Sequence, residues 1–167
     1  VALSSLVLSD NPLHADGGCA VAAAITNDGS LADLHLAGCS LCTTLSDGSY
    51  TADAVVALAE VLELPRAALR NLNLSRNRLC GASHEFVNCR WRVMGAYLDV
   101  GVRALVASIV ERKANGESVP FLSLDLSGNL VHAEDMKRVA AVLSHDASAA
   151  IGDGDGDGGG ADDAIDI

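Results

Sequence analysis

The sequence is short of several residue types, and each shortage excludes a class of protein. Aromatic residues make up only 3% of the 167 residues, and 11 basic residues stand against 22 acidic ones, for a formal net charge of −11 at pH 7. Nucleic-acid binding needs a basic face for the phosphates, so this balance argues against nucleic acid as a partner. No apolar run approaches the roughly 20 residues of a membrane-spanning helix. Half of the residues are nonetheless hydrophobic, which predicts one globular domain with a sizeable core.

Sequence signatures of the common enzyme classes are also missing. The chain contains no G-x-S-x-G nucleophile motif, no phosphate-binding G-x4-G-K-[ST] loop and no H-E-x-x-H zinc motif. Its five histidines are scattered and match no catalytic triad. We therefore expect a protein that is not an enzyme and that needs no cofactor.

An eleven-residue pattern, L-x-x-L-x-L-x-x-N-x-L, recurs four times and organises most of the chain. Its copies lie at residues 3–13, 31–41, 69–79 and 121–131, each with small departures. The alternating L-x-L centre predicts a short strand that buries leucines on one face and exposes the residues between them on the other. The ninth position is expected to turn inward and satisfy backbone groups where the chain leaves the strand. The ninth-position residues are Asn11, Cys39, Asn77 and Asn129.

A second pattern, with a four-residue period, follows each strand. Small or apolar residues recur at i, i+4 and i+8, which is the spacing of a buried stripe on a helix. We therefore predict one helix in each repeat. The predicted stripes are Gly17, Val21 and Ile25; Ala54, Leu58 and Leu62; Gly101, Leu105 and Ile109; and Asp135, Val139 and Leu143.

The combination of a patterned strand and a full helix resembles the ribonuclease-inhibitor-like subfamily of the leucine-rich repeat proteins. The resemblance covers residues 1–146, with repeats that start at positions 3, 31, 69 and 121. It implies an α/β fold, a leucine-rich repeat solenoid that forms a short right-handed arc, with parallel strands on the concave face and helices on the convex face. Because the first residues already lie inside the first repeat, we expect that more chain precedes them or that a partner covers this edge.

The remaining residues, 147–167, are rich in aspartate and glycine. Six aspartates in this stretch supply more than half of the net charge. Residues 153–158 imitate the first half of a calcium-binding loop, but Ala164 stands where such a loop needs a bidentate glutamate. We expect an acidic, flexible tail of low complexity.

Two insertions interrupt the repeats. The step from strand to helix is 14 residues in the first and fourth repeats, 23 in the second and 32 in the third, which locates the insertions at residues 42–53 and 80–100. Both leave the same side of the strand layer, so we expect them to be adjacent on one rim of the fold. They hold four of the five aromatic residues, and Trp, Tyr and Arg dominate binding hot spots. The predicted partner-binding residues of these rim loops are Tyr50, Arg90, Trp91, Arg92 and Tyr97.

The same apolar residues are open to a second interpretation. They can pack together as a small satellite core that holds the longer insertion in place. The members of this alternative core are Phe86, Val87, Trp91, Val93, Met94 and Tyr97.

The residues between the strand leucines form a second predicted binding surface. In related proteins the concave face and its rim commonly grip another protein. Here the face is polar, carries charges of both signs and has no aromatic anchor, so we expect the rim loops to add the larger share of affinity. The predicted partner-binding residues of the concave face are Val7, His35, Asn73, Asp125, Asp33, Asn71 and Arg76.

A metal site is the sharpest alternative use of the insertions. Cys42, Cys80, His84 and Cys89 together would make a Cys3His set for zinc that pins the longer insertion. Cys80 and Cys89 lack the spacing of a standard zinc finger, so this alternative is the weaker one and we expect no metal. A disulfide between Cys42 and Cys80 is compatible with neighbouring strands but disfavoured in a reducing compartment. The five cysteines have scattered spacings, unlike a secreted disulfide framework, which favours an intracellular protein, cytoplasmic or cytoskeletal.

These observations predict a non-catalytic protein–protein interaction module. We expect a structural or adaptor subunit of a larger intracellular assembly, with other proteins as partners; cytoskeletal and ciliary scaffolds are among the candidates. The resemblance also leaves open a regulatory module. That alternative is either GTPase activation, by similarity to Ran GTPase-activating proteins, or substrate recognition within a ligase or receptor.

Overall fold

A computed structural model describes residues 2–26, 29–44, 49–64, 67–114 and 123–144, and for residues 83–87 it describes the backbone only. The predicted acidic tail at 147–167 lies outside the described residues, as does Phe121 at the start of the fourth repeat. Within the described residues the elements, in chain order, are β1 (Ser5–Val7), α1 (His14–Thr26), β2 (Asp33–His35), β3 (Thr43–Thr44), β4 (Tyr50–Thr51), α2 (Asp53–Glu63), β5 (Asn71–Asn73), β6 (Ser83–Val87), β7 (Arg90–Met94), α3 (Val100–Ala114), β8 (Ser123–Asp125) and α4 (Ala133–Leu143).

The four L-x-L segments form one parallel sheet in the order β1-β2-β5-β8. The strands pair without any offset, so the central leucines Leu6, Leu34, Leu72 and Leu124 lie side by side. Leu34 and Leu72, on the two inner strands, are almost fully buried. The fold therefore has a mixed α/β architecture with a parallel sheet and four helices in the described residues, which confirms the predicted fold class at this level.

The helices pack against one another in chain order, α1 on α2, α2 on α3 and α3 on α4. Small residues allow the closest of these contacts. A Cβ atom on Gly18 would lie 2.5 Å from the Cβ of Ala54, and one on Gly101 would lie 3.4 Å from Val55. The predicted stripes of α2 and α3 are buried together with the sheet leucines in one continuous core.

The predicted stripe of α1 is confirmed at Ile25 but wrong at its first two positions, and that of α4 is wrong at its end. Helix α1 buries Gly18 and Ala22 instead of Gly17 and Val21. Helix α4 buries Val142 more fully than Leu143. The reason is that each of these outer helices has one neighbouring helix in the described part of the chain, so its buried face turns toward that neighbour.

The ninth-position residues connect each repeat to the one before it. The Asn77 side chain accepts hydrogen bonds from the amides of Cys39 (2.9 Å) and Leu41 (3.2 Å) and donates to the carbonyls of Leu36 and Leu74. The Asn129 side chain does the same one repeat later, accepting from the amides of Asn77 and Leu79. The Cys39 thiol donates to the Leu8 carbonyl, and the exposed Asn11 donates to that same carbonyl within its own repeat.

Each insertion contributes a short antiparallel pair, β3 with β4 and β6 with β7. In the longer pair, Asn88 and Cys89 form the two-residue turn and both have left-handed backbone angles, with φ of 50° and 61°. This conformation is the one that a tight hairpin requires. None of the helices in the described residues combines the length and the apolar character needed to cross a membrane.

Candidate protein-binding surfaces

The first candidate surface is the face of the parallel sheet that carries the residues between the leucines, which we call the polar sheet face. Its central row follows directly from the strand register, because Val7, His35, Asn73 and Asp125 are paired in sequence across the four strands. Val7 is 66% exposed at the edge, and the other three are partly exposed. The flanking row, also brought together by the register, is Ser5, Asp33, Asn71 and Ser123.

Hydrogen bonds hold several of these polar side chains in fixed orientations. The Asn73 side chain accepts hydrogen bonds from the amide and the hydroxyl of Ser75, at 2.9 and 2.8 Å. Asp125 accepts one from the Ser127 amide at 3.0 Å, and the Asn71 amide group donates to Asp33. These side chains border a shallow recess of about 230 Å³. It is lined by His35, Asn71, Leu72, Asn73, Ser123 and Asp125.

A row of left-handed turn residues borders the polar sheet face. Asp10, Gly38, Arg76 and Gly128 occupy equivalent positions in the four repeats, and their φ angles lie between 56° and 66°. Arg76 pairs with Asp10 at 3.0 Å, spanning the repeat between them. The pair can form because Gly38 has no side chain: a Cβ there would lie 2.6 Å from the Asp10 carboxylate. Both partners are more than half exposed, so the pair stabilises the fold by at most about 1 kcal/mol.

The second candidate surface is the β6–β7 hairpin, whose second strand is exposed at all five positions. Trp91 is 70% exposed and Val93 56% exposed. Residues two apart on a strand share a face, so Trp91 and Val93 lie on one side of the strand and Arg90, Arg92 and Met94 on the other. The alternative satellite core is therefore wrong for Trp91, Val93 and Met94. The side chains of Phe86 and Val87 lie outside the described residues.

The two insertions meet at Gly81, as the expected adjacency on one rim requires. A Cβ on Gly81 would lie 3.5 Å from the Tyr50 ring and 3.5 Å from Leu98. Gly95, at the base of the hairpin, lies even closer to Gly81, because a Cβ on Gly95 would lie 2.5 Å from the Gly81 carbonyl oxygen. Both glycines have positive φ angles, so this contact fixes where the hairpin leaves the core.

Tyr50 and Tyr97 tie the insertions to the fold. Each lies three residues before a helix and close to a buried thiol, that of Cys42 and that of Cys80 respectively. The Tyr50 hydroxyl also donates to the Leu79 carbonyl at 2.5 Å, and the Tyr97 hydroxyl donates to the carboxylate of Asp135. Both tyrosines pack partly against the core, so the exposed residues of the predicted rim set are Arg90, Trp91 and Arg92.

Burial determines the protonation of this group of side chains. Desolvation raises the pKa of the Cys42 thiol to about 11 and that of the Cys80 thiol to about 11. Desolvation likewise raises the pKa of both tyrosines, and for Tyr97 the neighbouring Asp135 carboxylate adds to the rise. All four groups are therefore neutral at physiological pH.

The residues of the alternative zinc set are dispersed. Cys42 and Cys80 are buried beside the tyrosines, whereas Cys89 is exposed in the hairpin turn. The side chain of His84 lies outside the described residues. Across the side chains that the structure describes, no three histidine, cysteine or acidic residues come together to hold a metal ion. The five cysteines are free thiols, so no disulfide joins Cys42 and Cys80.

Sequence reasoning missed the partners of one buried charged residue, Asp135, and the burial of another, Arg112. Asp135, assigned only to a helix stripe, is 5% exposed and binds both Tyr97 and Arg138. Arg112 is 6% exposed and donates to the carbonyls of Ala67 and Leu69. The sequence did hold a signal for Asp135, because a carboxylate buried at the start of an apolar helix face needs a hydrogen-bond or ionic partner.

Comparisons with known proteins add no family assignment. No protein-family model matches the chain, and a search of curated proteins returns no match. The features that bear on function are therefore the polar sheet face and the exposed β6–β7 hairpin.

Proposed function

We propose that the chain is a protein–protein interaction module of the ribonuclease-inhibitor-like leucine-rich repeat type. In this proposal the four strand–helix units form a short right-handed solenoid, with the polar sheet face on its concave side and the helices on its convex side. Three observations support it: the offset-free parallel sheet, the ordered contacts from helix to helix, and the ninth-position side chains that bond to the preceding repeat. The module works by shape-complementary binding, as a structural or adaptor subunit of a larger assembly.

The exposure of Trp91 carries the proposal. An indole that is 70% accessible presents a large apolar area to water, and this is the residue type that contributes most to binding when a partner buries it. Its strand also presents Val93, 56% exposed, and the exposed guanidinium groups of Arg90 and Arg92. Such a mixture of apolar and arginine side chains is typical of the centre of a protein interface.

The hairpin is suited to this role because its base is rigid and its outer strand is accessible. The close approach of Gly95 to Gly81 and the hydrogen bond from the Leu98 amide to the Cys80 carbonyl (2.9 Å) attach the hairpin to the core. Binding of a partner to the outer strand then costs less conformational entropy of the hairpin than ordering a mobile loop would cost. The polar sheet face supplies further contacts through the side chains of Asp33, His35 and Asp125.

Affinity capture from a native extract tests the proposal. The bait is the full chain, and the variants are Trp91→Ala and the matched control Leu3→Ala, which also shortens an exposed apolar side chain (51% exposed) but lies far along the chain from the insertions. Thermal unfolding of each purified bait is measured in parallel. We expect a defined set of proteins to be lost with Trp91→Ala and retained with Leu3→Ala, at unchanged melting temperatures.

Two results would contradict the proposal. Retention of every captured protein by Trp91→Ala would show that the exposed face of the hairpin is not the binding site. A lowered melting temperature for Trp91→Ala would show that the indole stabilises the fold, and partner loss would then follow from unfolding.

A further inference from the structure

Basic charge is concentrated in one part of this acidic chain. Residues 69–103 contain six arginines and two acidic residues, Glu85 and Asp99, for a net charge of +4 in a chain whose total is −11. The arginines of this segment are Arg70, Arg76, Arg78, Arg90, Arg92 and Arg103. Along the sequence, the third repeat and its insertion are therefore a positive region of an otherwise acidic chain.

The hairpin combines this positive charge with exposed apolar area. Arg90 and Arg92 alternate with Trp91 and Val93 along β7, and all four side chains are exposed. Arginine binds carboxylates through two parallel hydrogen bonds. Removal of the indole and the valine side chain from water is favourable and adds to the binding free energy. Because Arg90 and Arg92 lie on the opposite side of the strand from Trp91 and Val93, a matching ligand is an extended segment beside β7 with carboxylates on one side and apolar side chains on the other, in alternation.

We propose that the β6–β7 hairpin binds an acidic segment of a partner protein, in which aspartate or glutamate residues alternate with apolar residues. The proposal rests on the proposed function and specifies the chemistry of the partner. Charge complementarity selects an acidic ligand, and the small size of the positive region selects a short one. A nucleic acid is a poorer match because a long polyanion would also meet the acidic remainder of the chain.

Trp91 provides a direct probe of this binding, because it is the single tryptophan of the chain. The probes are synthetic peptides: one that alternates aspartate and leucine, one with lysine in place of each aspartate, and one with serine in place of each leucine. A single-stranded RNA oligonucleotide of comparable length is titrated beside them. We expect the Asp/Leu peptide alone to shift the Trp91 emission to shorter wavelength with saturation, and we expect added salt to weaken its binding.

Variants of the full chain in which basic residues are replaced by neutral glutamine measure what the hairpin arginines contribute to peptide affinity. Arg90→Gln/Arg92→Gln removes two charges from the hairpin, and Arg103→Gln/Lys137→Gln removes two exposed charges (73% and 72% side-chain exposure) from helices α3 and α4. We expect the hairpin variant to bind the Asp/Leu peptide about tenfold more weakly and the control variant to bind it within about twofold of the natural chain. Equal weakening in both variants would indicate only a general charge effect and would overturn the proposal.

Other outcomes would overturn the acidic-partner proposal and would also show whether the proposed function still holds. Tighter binding of the RNA than of the Asp/Leu peptide, or equal binding of the Asp and Lys peptides, would contradict the proposal of an acidic partner. If the capture of proteins from extract depends on Trp91 but not on Arg90 and Arg92, the proposed interaction module is supported and the proposal of an acidic partner is contradicted. If the capture depends on neither, the proposed function itself falls.

The chain's own tail, 147–167, is a further acidic occupant to be tested. A full-length variant with its six tail aspartates changed to asparagine is compared with the natural chain in the absence of any peptide. We expect the same Trp91 emission in both. A shift to longer wavelength in the variant would show that the tail, rather than a partner, covers the hairpin, and the proposal would be overturned.

Discussion

Tyr97 lies flat against His132, with ring centroids 3.4 Å apart and an angle of 5° between the ring planes. The same tyrosine donates its hydroxyl hydrogen to the carboxylate of Asp135, which is nearly inaccessible to solvent, and accepts a hydrogen bond from the His132 amide at 3.2 Å. A residue at the end of the long insertion is in this way bound to the first turn of α4. The insertion therefore connects the third and fourth repeats as well as carrying the exposed hairpin.

Removing the Tyr97 hydroxyl should destabilise the fold. Tyr97→Phe keeps the stacked ring but leaves the buried Asp135 carboxylate with one hydrogen-bond donor fewer, and we expect a loss of about 1–3 kcal/mol in the free energy of unfolding. The measurement is denaturant-induced unfolding followed by circular dichroism. The matched control is Tyr50→Phe, whose hydroxyl donates to the neutral Leu79 carbonyl, so its loss should be smaller. A Tyr97→Phe variant as stable as the natural chain would contradict the anchoring role of Asp135.

Two ninth-position asparagines should differ sharply in their effect on stability. Asn77→Ala leaves the amides of Cys39 and Leu41 without acceptors inside the core, and we expect a loss of about 3 kcal/mol or more. Asn11→Ala removes an exposed side chain that bonds only within its own repeat, and we expect about 1 kcal/mol or less. Unfolding by denaturant under identical conditions compares the two. Similar losses at both positions would show that burial of the side chain is not the deciding factor.

A side chain at Gly38 should destabilise the fold. Gly38→Ala forces a Cβ into the space of the Asp10 carboxylate and places alanine at a φ of 63°, and we expect a loss of about 1–3 kcal/mol. The contribution of the clash is separated by a double-mutant cycle with Asp10→Ala. In that background the clash is gone and only the backbone strain remains, so the same substitution should destabilise less. An unchanged effect would mean that Asp10 moves aside without loss of free energy.

Stability should fall in alkaline solution. The folded pKa of Cys42 and of Cys80 is about 11, against an ordinary value of 9.0, because burial disfavours the thiolate. The folded state therefore holds these protons more tightly. Their contribution to stability is complete below about pH 9 and is lost as the pH rises toward 11. At about pH 10.5 we expect Cys42 alone to account for a loss on the order of 2 kcal/mol.

Denaturant midpoints at pH 8 and at about pH 10.5 provide the measurement. Tyr50 and Tyr97, whose pKa values are also raised by burial, add to the loss above pH 10. A Cys42→Ala/Cys80→Ala variant serves as the control, and its stability should fall less between the two pH values. If the variant and the natural chain lose the same amount, the buried thiols do not determine the pH dependence.

Much of the framework could be predicted from the spacing of leucines. The L-x-L centres of the four copies coincide with β1, β2, β5 and β8, and their central leucines are in register as the alternation requires. This succeeds because burial of one strand face is a local property with a period of two residues. The first two positions of the α1 stripe were each wrong by one residue, because the buried face there depends on Ala54 of the neighbouring helix, which the periodicity of α1 does not contain.

The interior of the insertions could be predicted less well. Alternation over Arg90–Met94 and the asparagine at position 88 were both signals of a hairpin, but the turn lacks the glycine that usually marks one. The contact between Tyr97 and Asp135 joins residues 38 positions apart, and nothing in their local sequences specifies it. Aromatic composition thus located the candidate site, whereas only the geometry separated the anchored Tyr50 and Tyr97 from the exposed Trp91.

The hydrogen bonds that ninth-position side chains make to another repeat all join a repeat to the one before it. The Asn129 side-chain oxygen is the acceptor for turn amides of the third repeat, and the Asn77 side-chain oxygen is the acceptor for turn amides of the second. Loss of α4 and β8 therefore deprives the Asn77 and Leu79 amides of their acceptor, and loss of the third repeat does the same to Cys39 and Leu41. Unravelling from the α4 side therefore removes these side-chain acceptors one repeat after another, while fraying of β1 leaves the acceptors on Asn77 and Asn129 in place.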